Sequence, residues 1–298
     1  MKSVLVLGQG FVGKYLADLL KAHKVDYAST TTSGREDTIA WCWSERADDD
    51  DVCDPYSMLP AAESIVITFP LKGGAEARHL ITGYLCYHRK VHGDTYTPFW
   101  VYLGSTRPFK GTPSTRQTRP DLIAGGPRVE AEEYVISAHA GCVLNLAGLW
   151  GGERVPDKWS RFYSDKEQLR NRLRDRSLHL IHGADAARSI FAIIGHKDKA
   201  SRFAGRWLVS DEKVYDVLQI FVGADHIRSF LEDLMDDDEV KEMLGADKIG
   251  DIEMGAAFVT KRIDSSHFWS QLQLKPKYVY AVGEPDPYPS SKDIKDIV

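Results

Sequence analysis

Cysteine is scarce: four in 298 residues, at Cys42, Cys53, Cys86 and Cys142, with no Cys-x-x-Cys pair among them. That spacing excludes a disulfide framework and indicates no zinc or other metal site. No apolar run approaches the roughly 18 residues that cross a membrane, so no membrane partner is expected. A basic excess is also missing. Thirty-eight Lys and Arg stand against 43 Asp and Glu, for a net charge of −5. Such a balance speaks against a nucleic-acid partner, which calls for a basic face. The start, MKSVLVLGQGFVG, has one Lys and a short apolar run before its glycines, without the apolar length or cleavage site of a leader. No internal repeat is present, and the Asp48–Asp51 run reads as a solvated loop. The expectation is a soluble, reduced, cytoplasmic protein. What the chain does have is core material: 43% of its residues are hydrophobic, enough for one large α/β domain or two smaller ones.

The first thirty residues are the most informative. Val4-Leu5-Val6-Leu7 suits a strand buried on both faces, and Gly8-Gln9-Gly10-Phe11-Val12-Gly13 follows at once. Tyr15, Leu16, Leu19 and Leu20 then recur at helical spacing, and a second strand fits Val25–Ser29. The alternation continues with strands at Thr38–Trp43, Ile65–Pro70, Phe99–Leu103 and Cys142–Ala147. Helices are expected at Gly74–Arg89 and from Pro127 to about Ala140. Residues 107–127, with Pro108, Pro113, Pro120 and Pro127, read as a long loop. Strands alternating with helices imply an α/β fold, a doubly wound parallel sheet with helices on both faces. After Trp150 the pattern loosens. Lys158–Arg176 is charged and helical, Leu178–His182 extended, a helix runs from Asp185 to Ile194, and Arg206–Val209 is one more strand. From Lys213 the chain is mainly helical, ending in a Pro-rich tail from Glu284. This divides it into a dinucleotide-binding domain, 1–150 plus about 177–210, and a smaller substrate domain, about 151–176 plus 211–298.

A Gly-x-Gly-x-x-Gly turn between strand and helix carries a specific chemistry. The first glycine permits the turn, the second lets a pyrophosphate approach the backbone, and the third lets the helix pack on the strand. The helix N-terminus offers free N–H groups to the phosphates. Gly8, Gln9, Gly10, Phe11, Val12 and Gly13 are therefore candidate cofactor-binding residues. An NAD site places Asp or Glu at the end of the second strand. Here that segment reads Ser29-Thr30-Thr31-Thr32-Ser33-Gly34-Arg35, and Asp26 lies too early. Hydroxyls with a guanidinium, Thr31 and Arg35, match a 2′-phosphate better, so NADP is expected ahead of NAD.

Several segments together resemble the extended short-chain dehydrogenase/reductase superfamily, in its atypical NAD(P)-binding, sugar-nucleotide-epimerase-like branch. They are VLGQGFVGKYLADLL at 5–19, SIVITFP at 64–70, VYLGSTRPFKG at 101–111 and RVEAEEYV at 128–135. LNLAGLWGG at 144–152, LHLIHGADAARSI at 178–190 and KRIDSSHF at 261–268 follow in the family's order. The resemblance implies a Rossmann domain with a smaller, mainly helical C-terminal domain over the cofactor's nicotinamide end. It places Phe69 and Pro70 beside the cofactor and gives the hydroxyl that meets the reacting oxygen to Thr106, with Ser105 beside it. The family's acid, the Tyr of a Tyr-x-x-x-Lys pair, falls on Ala124, and its Lys on Arg128. Alanine transfers no proton; Arg128 can hold a ribose or phosphate but stays protonated. The literal Tyr288–Lys292 motif lies in the Pro-rich tail and is read as coincidence.

Other polar residues have structural readings. Asp185 is placed to cap the following helix, His182 reads as a packed structural histidine, and Asn145 stands where relatives often carry Arg. Trp150, Glu153 and Lys110 are expected on the ligand side of the sheet. Arg170, Arg172, Arg174 and Arg176 alternate, so they form no single helical face; they read as solvated or as a site for a substrate diphosphate. Trp41 and Trp43 read as core rather than as a ligand platform. Three functions remain open. The first is an NADP(H)-dependent oxidoreductase of a small carbonyl or alcohol substrate, with a non-standard proton donor. The second is a redox-neutral isomerase, lyase or cyclase, and the third a non-catalytic dinucleotide-sensing regulator. The partner is a small molecule, and homodimer formation is compatible with all three.

Overall fold

The computed structural model describes residues 1–43 and 55–288, so Asp48–Asp51 and Lys292 lie outside the described residues. In chain order the strands are β1 (Lys2–Leu7), β2 (Tyr27–Thr31), β3 (Ile39–Ala40), β4 (Ala62–Ile67), β5 (Phe99–Ser105) and β6 (Cys142–Leu146). Then come β7 (Gly148–Trp150), β8 (Ser177–Leu178), β9 (Leu180–His182), β10 (Gly205–Val209) and β11 (Tyr215–Asp216). The helices begin with α1 (Phe11–Ala22), α2 (Gly74–His92), α3 (Leu122–Gly125), α4 (Pro127–His139), α5 (Lys166–Leu173) and α6 (Gly183–Gly195). They continue with α7 (Lys199–Phe203), α8 (Val217–Phe221), α9 (Asp225–Leu234), α10 (Asp238–Leu244) and α11 (Ser266–Leu272).

Seven strands form one sheet in the order β10-β6-β5-β4-β1-β2-β3. Every neighbouring pair is parallel. Alternation of side chains along each strand splits the core into two layers. Val4 and Val6 of β1 point into the layer shared with Leu16 and Leu20 of α1 and with Ile190 of α6. Leu5 and Leu7 point into the other, with Leu80 and Ile81 of α2 and with Val135 of α4. Two-sided burial is why these strands read as unbroken apolar runs. Strand order reverses between β1 and β4, and the crevice beyond the C-terminal ends of the strands at that point is where such sheets bind ligands.

Several boundaries differ from expectation. The third strand shrinks to Ile39–Ala40, and the fourth ends at Ile67, before Phe69-Pro70. The loop 107–127 contains α3, whose N-cap Asp121 accepts from the amides of Ile123 and Ala124. Lys158–Arg176 is not one helix. A 3₁₀ helix at Pro156–Phe162 ends, and α5 starts afresh on the Asp165 cap, which accepts from the Gln168 amide. A local hydroxyl or carboxylate that satisfies a helix end outweighs a run of good helix formers. Among the described residues no helix is long and apolar enough to cross a membrane.

The segment after β10 is tied to the rest by buried polar groups. His179 is 7% exposed, and its Nε2 accepts the Ile263 amide at 3.1 Å. Burial, aided by the charges of Lys261, Arg172 and Arg262, pulls its pKa down to about 4. An unfolded chain protonates this imidazole near pH 6.5 and the folded one only near 4. Stability is therefore full above about 6.5 and lost as pH falls through that window, by roughly 1.4 kcal/mol per unit. Urea midpoints at about pH 6.5 and 4.5 should differ less in His179→Gln than in the parent. Equal differences would remove His179 from this acid sensitivity.

Candidate functional site

The glycine turn joins β1 to α1, and each glycine meets different surroundings. Gly8 has φ +94°, and a Cβ there would come within 2.8 Å of Thr68 Oγ1. A Cβ on Gly13 would lie 2.6 Å from the Gly8 carbonyl oxygen. At Gly10 a Cβ would meet nothing within 4 Å. The first and third glycines are thus required by the fold, whereas the second borders open space. Gly10 is the N-cap of α1 and supplies no side-chain cap, so the first turn presents unsatisfied amides toward that space.

The end of β2 holds the turn in place. Thr30 Oγ1 accepts the Gly8 amide at 2.9 Å, and the Ser29 hydroxyl donates to Gln9 Oε1 at 2.5 Å. Thr31 Oγ1 accepts from the amides of Gly34 and Arg35, at 3.0 and 3.2 Å, and lies 2.7 Å from Thr38 Oγ1. These hydroxyls are engaged by the protein's own polar groups. Of the residues expected to meet a 2′-phosphate, Arg35 stays exposed.

A cavity of about 410 Å³ opens beside this turn. Gly8, Gln9, Gly10, Thr31, Arg35, Phe69 and Pro70 all line it. Trp43 also lines it, half-buried, with Nε1 donating to Glu76 Oε1 at 2.6 Å. Trp41 lines it as well, from a buried position in the core, its Nε1 donating to the Pro55 carbonyl at 2.9 Å. Trp43 packs against the same core and its ring also flanks the cavity, so both tryptophans combine a core position with a face on this space. The Val12 side chain packs in the core, while the Phe11 ring lies edge-on to Tyr15 at 5.4 Å.

A second cavity, of about 550 Å³, sits at the ends of β5 and β6. Ser105 and Arg128 line it, but Thr106 does not; Thr106 is 8% exposed and its amide donates to the Leu146 carbonyl at 3.1 Å. Ser105 is fixed from below by a buried network. The Asn145 amide donates to the Ser105 carbonyl at 3.0 Å and to Glu132 Oε1 at 2.9 Å. Arg206 of β10 donates to Glu132 and to Asn145 Oδ1. Gly104 is glycine because a Cβ there would lie 2.3 Å from Glu132 Oε1.

Among the described residues no tyrosine lines this cavity. Tyr102 is fully buried, its hydroxyl accepts the Leu71 amide at 3.0 Å, and burial raises its pKa. It lies outside the cavity lining and offers no proton to it. The far wall comes from the segment after β7. Gly151 and Arg154 exchange backbone hydrogen bonds of 3.2 and 3.0 Å, and Asp286 accepts the Gly152 amide. This turn sets the Arg154 guanidinium over the Phe11 ring, 4.2 Å from its centre. Arg154 thus links the second cavity, which it lines, to the first residue of α1 at the glycine turn.

Other expectations sort themselves out around this frame. Glu153 lines the second cavity, whereas Lys110 lies 4.0 Å from Asp121 in an exposed pair. Trp150 packs edge-on against His182 at 4.6 Å. His182 is fully buried and is itself the N-cap of α6, its Nδ1 accepting the Ala184 amide at 3.0 Å. With Nδ1 an acceptor, Nε2 carries the proton and points at Asp286, 3.1 Å away. Asp185 is not the cap. Its carboxylate accepts from Arg188 at 2.5 Å and from the Lys277 and Tyr278 amides at 2.9 and 2.8 Å, fastening the C-terminal segment. Tyr288 packs against Tyr15, ring centres 4.9 Å apart.

The alternating arginines are all paired within the protein: Arg170 with Asp237 and Glu239, Arg172 with Asp175, Arg174 with Glu239, Arg176 with Asp216. The cations that do line the second cavity besides Arg128 are Arg154, Lys158 and Arg161. Spacing alone gives a faint signal for two of them. Lys158 and Arg161 are three apart, which brings them onto one face if the segment is a 3₁₀ helix.

No protein-family model matches the chain, and no curated protein matches it in sequence. Solved structures do. A putative NAD-dependent epimerase/dehydratase from Methylobacillus flagellatus superposes with a TM-score of 0.55 at 17% identity, covering 96% of this chain and 94% of its own. A UDP-N-acetylglucosamine 4-epimerase from Bacillus cereus gives 0.56 at 13% identity, over 99% and 97%. A yeast methylglyoxal/isovaleraldehyde reductase complexed with NADPH gives 0.51 at 14%, over 99% and 96%. At these identities the likeness shows the fold alone, a Rossmann-like α/β sheet with flanking helices along nearly the whole chain.

Proposed function

We propose that the protein is an NADP(H)-dependent oxidoreductase, epimerase-like in fold, that acts on a small carbonyl or alcohol substrate. The observation that supports this reading best is Gly10, the one glycine of the turn with open space where a side chain would stand. A backbone kept bare at an uncapped helix N-terminus, at the switch point of a parallel sheet, fits a pyrophosphate. The residues around it fit the rest of a nicotinamide dinucleotide: Arg35 a 2′-phosphate, and Trp43, Phe69 and Pro70 the apolar walls of the first cavity. Such a cofactor, when bound, supplies or accepts a hydride.

The chain's own residues do the remainder. The Ser105 hydroxyl, or that of Thr106 after a small loop shift, donates a hydrogen bond to the reacting oxygen. Arg128, lining the same cavity, is a positive charge for the developing oxyanion. With alanine at position 124, the proton comes from a non-standard acid or from water. That same absence supports the redox-neutral reading, in which Arg128 and Ser105 polarise a substrate without net hydride transfer.

Two variants test these roles. Arg35→Ala should weaken NADPH about tenfold or more and leave NADH nearly unchanged. Equal losses for both would remove the 2′-phosphate assignment. Ser105→Ala should lower kcat about a hundredfold at unchanged cofactor affinity, with Thr106→Val much milder. The reverse ranking would transfer the role to Thr106, and full activity in both would end it.

A further inference from the structure

The second cavity gathers charge that the chain as a whole does not favour. On a protein of net charge −5, Arg128, Arg154, Lys158 and Arg161 face one space, with Glu153 as the opposing carboxylate. Among the described residues none of the four has a carboxylate within ion-pair distance. The buried arginines of the C-terminal half, by contrast, are matched: Arg176 with Asp216, Arg188 with Asp185, Arg206 with Glu132. Cations drawn together without partners repel one another, and the repulsion is relieved when an anion enters.

Position within the cluster separates two duties. Arg154 is stacked on Phe11, next to the glycine turn, on the cofactor's side. Lys158 and Arg161 lie on the 3₁₀ helix Pro156–Phe162. With three residues per turn, side chains three apart stand one above the other, so Lys158 and Arg161 form a two-cation face. Leu149, Val155 and Trp159 supply apolar surface beside them. A cavity of about 550 Å³ holds a small metabolite.

The geometry points to a substrate that carries a carboxylate or phosphate group, bound by Lys158 and Arg161, with its uncharged end toward Ser105. This rests on the catalytic reading of the same cavity and specifies its substrate class. The test is calorimetric titration with three three-carbon probes, glycerol 3-phosphate, glycerate and glycerol, in the free protein and with NADPH present. At least one charged probe should bind at about millimolar affinity and glycerol should not, with the affinity falling as salt is raised. Lys158→Gln/Arg161→Gln should weaken the charged probe about tenfold or more without changing NADPH binding. The phosphate and carboxylate arms identify which anion the site takes. Binding that ignores probe charge, or that survives the double variant, overturns the inference, as does failure of both charged probes. If NADPH itself fails to bind, the oxidoreductase reading falls, and the titrations of the free protein still decide the anion site.

Discussion

Gly10→Val should leave the fold intact and reduce dinucleotide affinity at least about a hundredfold, a loss near 3 kcal/mol of binding. The backbone at Gly10 has a negative φ of −80° with ψ −146°, just past the edge of the β region, so valine costs a little strain there, and a Cβ meets no atom within 4 Å. Valine is a poor N-cap, so about 1 kcal/mol of stability is the expected cost. Its methyl groups would occupy the space in front of the first-turn amides. Gly13→Val is the contrast, because a Cβ 2.6 Å from the Gly8 carbonyl forces β1 and α1 apart. That variant should lose stability and binding together. Thermal melts and NADPH titrations on both proteins separate the outcomes. A Gly10→Val protein that binds NADPH like the parent would remove the pyrophosphate from this turn.

Arg206→Met carries the largest expected effect on stability. Glu132 is fully buried and keeps its charge company through Arg206, with Asn145 bridging the two. Removing the guanidinium strands a carboxylate in the interior, at a cost of roughly 3–5 kcal/mol, a large share of the stability of an ordinary domain. Glu132→Gln/Arg206→Met removes both charges and should recover much of that loss in urea unfolding. A single variant that loses less than about 1 kcal/mol would show that the pair is not what holds this corner. The same network carries Ser105, since Asn145 donates to its carbonyl at 3.0 Å. A partly rescued double variant should therefore still turn over more slowly than the parent.

The β1–turn–α1 unit was legible in the sequence because its signals are local. Four apolar residues, three glycines and a helical repeat all fall within twenty positions, and the structure reproduces them as β1 and α1. The parallel sheet followed from the alternation of such units. What stayed hidden depends on residues far apart in the chain. Arg206 meets Glu132 across 74 positions, and His182 meets Asp286 across 104. No spacing rule could reveal that Asp185 fastens residues 277 and 278 while His182 caps the helix. Arg128 of the second cavity was singled out from the sequence, but Arg154, Lys158 and Arg161 beside it were missed for a related reason. The Arg170–Arg176 run draws the eye by its density, yet its charges are spent on Asp175, Asp216, Asp237 and Glu239. Lys158 and Arg161 look ordinary until the chain tightens into a 3₁₀ turn.

The central claim is that the glycine turn and Arg35 together hold NADP(H). The direct test is a titration of the purified protein with NADPH and with NADH, following tryptophan fluorescence, since Trp41 and Trp43 line the first cavity. The account predicts saturable quenching by both, with NADPH bound about tenfold more tightly. Absence of saturable quenching by either nucleotide, confirmed by calorimetry, would contradict it.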